Sequence, residues 1–149
     1  MAYLTVNGVE LFYEDEGAGR PVVFLHGWGT SGRVWGGQLP DLVQDHRVIT
    51  VDWRGCGRSA RPAAGNTIAT ITRDILELVS ALALPAPVLV GSSLAGAFEI
   101  PRQVPEQCAA LIPGAEVILV EGAGHISQQD QPARFNRALR TALSHLVSA

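Results

Sequence analysis

Short apolar runs alternate with amphipathic stretches along most of the chain. Leu4-Thr5-Val6 and Val9-Glu10-Leu11-Phe12-Tyr13 flank Asn7-Gly8, a pair suited to a two-residue hairpin turn. Pro21-Val22-Val23-Phe24-Leu25 and Arg47-Val48-Ile49-Thr50-Val51-Asp52 read as buried strands, each ending in a glycine-containing turn. Between them a helix is expected over about 31–45, weakened by Gly36, Gly37 and Pro40. Ile68, Ile71, Ile75, Leu78, Val79 and Leu82 recur at three- and four-residue spacing, which predicts an amphipathic helix with Arg73, Asp74 and Glu77 off its apolar stripe. Val88-Leu89-Val90 predicts a third buried strand and Val117-Ile118-Leu119-Val120 a fourth. A short helix is expected from Glu106 to Ile112. A last helix should start near Pro132 and carry Phe135, Leu139, Leu143 and Leu146 on one face.

Strands alternating with helices imply a mainly parallel α/β sheet covered on both faces. With the N-terminal hairpin, about six strands are expected, in one domain spanning 1–149. Ligands bind such sheets at the carboxyl ends of the strands. His26, Asp52, Ser93 and His125 all fall at or just beyond such ends.

Composition narrows the chemistry. The 149 residues are 47% hydrophobic and 17% charged, with a net charge of −3, so no nucleic-acid or anionic-membrane partner is indicated. All 11 basic residues are arginines, which excludes a Schiff-base or phosphate-loop lysine. Two cysteines, Cys56 and Cys108, are too few for a disulfide scaffold. The four histidines are dispersed and lack metal-ligand spacing, so no metal or other cofactor is expected. The uncharged stretch from Leu78 to Phe98 is broken by prolines and glycines and reads as helix end, loop, strand and turn rather than a membrane span. No basic region precedes an apolar run at the start, and a cytoplasmic protein is expected.

The sharpest local signal is Val88-Leu89-Val90-Gly91-Ser92-Ser93-Leu94-Ala95-Gly96. A strand that turns abruptly into a helix can present a central serine, but only with small residues two before and two after it. Ser93 meets that demand through Gly91 and Ala95, whereas Ser92 would place Val90 there. The turn aims the N–H of Leu94 at an oxyanion. Phe24-Leu25-His26-Gly27-Trp28-Gly29 offers a second donor in the N–H of Trp28, with His26 read as a structural turn residue. Glu121-Gly122-Ala123-Gly124-His125 places a histidine after a strand and two glycines, downstream of the serine, as the order serine, acid, histidine requires. His46 and His145 read as surface residues.

With these segments in family order, the chain resembles the α/β-hydrolase family, in particular its small bacterial esterases and non-haem haloperoxidases. Asp52-Trp53-Arg54-Gly55-Cys56-Gly57-Arg58-Ser59 belongs to the same match. The resemblance implies Ser93 as nucleophile, His125 as base, and Trp28 and Leu94 as oxyanion-hole residues. It also implies structural roles for Asp52, Arg54 and the adjacent glycines. Ala95 stands where the family usually has glycine. A larger departure is the interval from Ser93 to His125, which in the family is usually over a hundred residues and holds two strands, the cap and the catalytic aspartate. Here it holds no aspartate, and Pro101 stands in the acid's place before Arg102-Gln103-Val104-Pro105.

The expected architecture is therefore a minimal hydrolase domain without a cap, its 117–120 strand directly beside the 88–90 strand. Sheet surfaces deprived of their usual neighbours favour association into a homo-oligomer. Glu99 is the nearest substitute acid, although six residues after Ser93 it falls on the helix, where a surface role is commoner. Glu106 is a weaker substitute. Three functions fit: weak serine-dependent hydrolysis of a small carboxylic ester, a catalytically impaired remnant or ligand-binding module, and perhydrolase or haloperoxidase-type acyl transfer by the same serine and histidine.

Overall fold

The computed structural model describes residues 1–92, 118 and 120–146. The chain divides into two compact units, Met1–Leu94 and Ala95–Ala149. The first contains β1 (Ala2–Val6), β2 (Val9–Gly17), β3 (Arg20–Leu25), a 3-10 turn (Gly32–Trp35), α1 (Leu39–Leu42), β4 (His46–Asp52), α2 (Ile68–Ala81) and β5 (Val88–Gly91). The second contains α3 (Ser127–Asp130) and α4 (Pro132–His145). No described helix is long and apolar enough to cross a membrane.

The strands form one sheet in the order β1-β2-β4-β3-β5. The hairpin forms where expected: Asn7 and Gly8 both take positive φ (46° and 71°), the mirror-image turn whose twist matches two antiparallel strands, and Val6 pairs with Val9. β4 is central, antiparallel to β2 and parallel to β3, so its residues from Val48 to Asp52 are all buried. The sheet is thus mixed rather than mainly parallel, and the described residues contain five strands rather than six. The second hairpin arm is nine residues long, enough for Phe12–Gly17 to run beside Asp52–Arg47 in place of a parallel neighbour.

Alternation along β3 and β4 supplies both faces of the core. Val23, Ile49 and Val51 pack with Leu11, Trp53 and the α2 residues Ile71, Ile75 and Leu78. Phe24 points the other way, its ring 4.9 Å from that of Trp35. α2 matches the predicted helix, opened by Thr67, whose hydroxyl accepts the Thr70 N–H at 3.2 Å.

Several expectations change. The helix over 31–45 is instead a 3-10 turn and a single α-helical turn, separated by Gly36 and Gly37, with Pro40 admitted because it lies in the first turn of α1. β5 is not buried throughout: Leu89 is 53% exposed, on the edge strand of the described sheet and beside an open groove along α2. Asp74 is not off the buried stripe of α2 but within it, at 0% exposure. His46, expected at the surface, begins β4 and is half-buried, with Nδ1 2.8 Å from Asp45 Oδ1. Ile118 and Val120 lie in no strand, while the rest of the 117–120 segment and the expected 106–112 helix fall outside the described residues. α4 begins at Pro132 as expected and buries Leu143, while Leu146 follows it exposed.

Candidate active site

The carboxyl ends of β3, β4 and β5 lie side by side, in the order β4-β3-β5. At the end of β3 the chain enters the segment 26–32. His26 is fully buried and edge-on to Trp53, ring centroids 4.7 Å apart. Its Nδ1 lies 2.7 Å from both the Gly27 carbonyl oxygen and the Trp53 indole nitrogen, and its Nε2 lies 3.3 Å from the Trp53 backbone nitrogen. Burial pushes its pKa below the usual value, outweighing the carbonyl of Gly27 and the charge of Asp52. A neutral ring clamped from three directions is a structural post, and this agrees with the role read for it in the sequence.

Two further contacts set the path of the segment. The Gly27 carbonyl accepts the Thr30 hydroxyl at 2.8 Å, and the Gly32 N–H donates to Asp52 Oδ1 at 2.7 Å. Between these anchors Trp28 projects, 53% exposed. Asp52 is itself buried and accepts the Arg58 N–H at Oδ2 (2.8 Å), which folds the 53–59 turn back over the end of β4. Gly57 has φ +50°, and a Cβ there would collide with the Asp52 carboxylate, so the turn closes only on glycine. The Ser59 hydroxyl donates to the Asp52 carbonyl and accepts the Phe12 N–H at 2.8 Å, joining the turn to β2.

Arg54 leaves this turn toward α2. Its Nε and Nη2 donate to Asp74 at 2.5 and 2.6 Å, a two-point ion pair buried on both sides. The hydrogen bonds to Asp74 hold the guanidinium above its ordinary pKa. Asp74 also accepts Asn7 Nδ2 at 3.0 Å, so one carboxylate ties together the hairpin turn, the 53–59 turn and α2. The role of Asp74 was missed in the sequence, although 71, 74, 75 and 78 already share a helical face.

A cavity of about 180 Å³ opens between Trp28, Gly29, Arg54, Gly55, Cys56 and Asn66. Burial pushes the Cys56 thiol pKa up, which disfavours the thiolate and hence nucleophilic attack by sulfur. Among the described residues no cluster of three histidine, cysteine or acidic side chains could hold a metal ion.

β5 ends beside β3, with Leu25 paired to Gly91, and the Ser92 N–H donates to the Leu25 carbonyl at 2.9 Å. The residue before Ser93 is thereby fastened to the residue before His26. Ser93, Leu94 and Glu99 lie outside the described residues. In the second unit, His125 is half-buried and its ring makes no hydrogen bond to a described residue. It follows a loop whose backbone is held from the start of α4: the Gly124 N–H donates to Asp130 Oδ2 (2.8 Å), Gln131 Nε2 donates to the Gly122 carbonyl (3.1 Å) and Arg134 Nη1 to the Glu121 carbonyl (2.7 Å). These three side chains were not singled out in the sequence. Their only trace there is a polar cluster around Pro132.

Residues 20–98 match a family model described as the alpha/beta hydrolase fold. A non-heme haloperoxidase from Rhodococcus erythropolis is 40% identical over 120 residues, covering 79% of this chain and 43% of that protein. Among solved structures, a bromoperoxidase from Bacillus anthracis is 47% identical with a TM-score of 0.57, over 59% of this chain and 32% of that one. An esterase from Exiguobacterium antarcticum is 39% identical with a TM-score of 0.58, over 61% and 34% of the two chains. The chain thus spans about two fifths of the length of the curated relatives it matches.

Proposed function

Since the chain belongs to the α/β-hydrolase family, we propose that it hydrolyses small carboxylic esters through an acyl-enzyme formed on Ser93. The Ser93 hydroxyl attacks the ester carbonyl as His125 takes its proton, and the N–H groups of Trp28 and Leu94 stabilise the oxyanion. The alcohol leaves with the proton returned by His125. Water, deprotonated by the same base, then releases the acid.

One observation carries the reading. The Ser92 N–H is bonded to the Leu25 carbonyl, which brings the chain entering Ser93 against the strand that leads into the Trp28 loop. An esterase nucleophile and its oxyanion donor must lie on adjacent strand ends, and this bond joins the two strands concerned. The hydrogen bonds of Thr30 and Gly32 fix the path of that loop, which supports a donor held in place before substrate arrives.

Turnover is expected to be slow. No aspartate lies between Ser93 and His125. Loss of the orienting acid in a worked serine triad costs about 10⁴ in rate, or roughly 5–6 kcal/mol of barrier. If Glu99 supplies the acid, Glu99→Gln lowers the rate by a further factor of about 10².

Two other readings have their own support. Likeness to a haloperoxidase and a bromoperoxidase favours peracid formation, with hydrogen peroxide replacing water at the acyl-enzyme. The absent aspartate and the short span relative to the relatives favour an impaired ligand-binding module. A fluorophosphonate label followed by intact mass tests all three. One adduct should form, disappear in Ser93→Ala and survive in Ser92→Ala. Hydrolysis of an activated short-chain ester should fall to background in His125→Ala, and added peroxide should reveal any peracid. A wild-type chain that neither labels nor turns over overturns the hydrolase and peracid readings together. Labelling that survives Ser93→Ala and vanishes in Ser92→Ala overturns the choice of nucleophile.

A further inference from the structure

The loop preceding His125 has an unusual source of support. Its backbone groups at Glu121, Gly122 and Gly124 are bonded not to a neighbouring strand but to three side chains six to thirteen residues further on. Asp130 closes α3, Gln131 follows it, and Arg134 stands in the first turn of α4. Their reach is complementary: one carboxylate accepts an N–H, and two donors take carbonyls. The loop fits closely against them. Gly122 has φ +73°, and a Cβ there would touch Arg134 Nη1 and Gln131 Nε2, each at 3.6 Å. A Cβ at Gly124 would lie 3.1 Å from Asp130 Oδ2, nearer than ordinary contact.

Between Gly124 and Asp130 the chain makes a ring closed by the Asp130 carboxylate on the Gly124 amide, and His125 is the residue next to that amide. The imidazole has no hydrogen-bond partner of its own among the described residues. The bond on the Gly124 amide constrains the backbone from which the imidazole departs. A base that must meet a serine hydroxyl tolerates little misplacement, and an ångström of drift can cost about a hundredfold in rate.

We propose that Asp130, with Gln131 and Arg134, is a positioning device for His125. By pinning the 121–124 backbone it orients the imidazole and takes over part of the task that a triad acid performs through the ring nitrogen. The inference rests on His125 being the catalytic base. It adds that the holding group acts on the backbone and needs an acceptor oxygen rather than a negative charge.

The test compares Asp130→Ala with Asp130→Asn in the full chain, because asparagine keeps an acceptor oxygen and loses the charge. Three readouts are taken: turnover of an activated short-chain aryl ester, hydrogen exchange of the Gly124 amide, and the ring resonances of His125. Asp130→Ala should lower kcat tenfold or more while KM stays within about twofold, since substrate contacts are untouched. Its Gly124 amide should exchange faster and its His125 ring signals should shift or broaden. Asp130→Asn should restore kcat to within about threefold and return both spectroscopic readouts. Arg134→Ala, which removes the Glu121 contact, should fall between, and it serves as the second variant if Asp130→Ala does not fold. Unchanged kcat in Asp130→Ala, or an asparagine variant as impaired as the alanine one, overturns the proposal. Should the wild type show no turnover, the esterase reading fails by itself. The anchor is then decided by the Gly124 amide and the His125 ring: changes confined to Asp130→Ala uphold it, and their absence overturns it.

Discussion

Replacing Asp74 with alanine leaves the Arg54 guanidinium buried and without its two-point partner, and strips Asn7 of the acceptor for its side-chain amide. Both members of the pair are almost wholly shielded from water, Asp74 at 0% and Arg54 at 6% exposure. Breaking a buried pair from one side costs about 3–5 kcal/mol, because the surviving charge keeps its desolvation penalty and loses its attraction. At a urea slope near 2 kcal/mol/M this moves the unfolding midpoint down by about 2 M. All three tryptophans, Trp28, Trp35 and Trp53, lie in the same compact unit as the pair, so tryptophan fluorescence follows the unfolding of that unit. The same physics makes a sharper demand on the double variant. Removing both charges, as Arg54→Met with Asp74→Leu, eliminates the stranded ion, so the double variant should recover most of the lost stability. An Asp74→Ala chain within about 1 kcal/mol of wild type, or a double variant no more stable than Asp74→Ala, refutes the assignment of this pair as the tie between α2 and the 53–59 turn.

Gly57→Ala should destabilise the fold well beyond Gly8→Ala: both need positive φ, but only Gly57 has the Asp52 carboxylate where a methyl group would go, and paired thermal melts decide it. His26 is held below its ordinary pKa mainly by burial, so the unfolded chain takes up a proton first as pH falls through about 6.5. Stability should be flat above that pH and decline below it by up to about 1.4 kcal/mol per pH unit, until the folded histidine protonates as well. Urea midpoints between pH 7.5 and 5.5 check this, and a midpoint that rises on acidification contradicts it. Asp52→Ala should cost about 2 kcal/mol or more and release both the Gly32 and Arg58 amides to faster hydrogen exchange, since each donates to its carboxylate.

Elements fixed by neighbouring residues could be read from the sequence. Asn7-Gly8 made its turn because both residues tolerate positive φ, a property local to the pair. β3, β4 and α2 appeared close to their expected limits because periodicity and length reflect which face is buried. The same holds for the glycine-rich turns after β3 and β4, whose composition already showed where the backbone had to bend sharply. The membership in the hydrolase family was legible for that reason: its motifs lie on those turns.

What the sequence left open were partners far along the chain. Nothing in Val9–Gly17 says that it will flank β4 and make the sheet mixed, because strand pairing depends on which edge is vacant when the layers assemble. Leu89 looks like a core residue by type, yet on the edge strand of the described sheet it is exposed beside an open groove along α2. Asp74 looks like a surface charge, and only the arrival of Arg54 from twenty residues away makes its burial tolerable. His26 and Asp52 likewise take their roles from distant backbone groups, the amides of Trp53 and Gly32. A local pattern records how a residue prefers to sit with respect to water. Which polar group meets which is decided only when the chain closes on itself, since the energy of a buried hydrogen bond exists only once both partners have left the solvent.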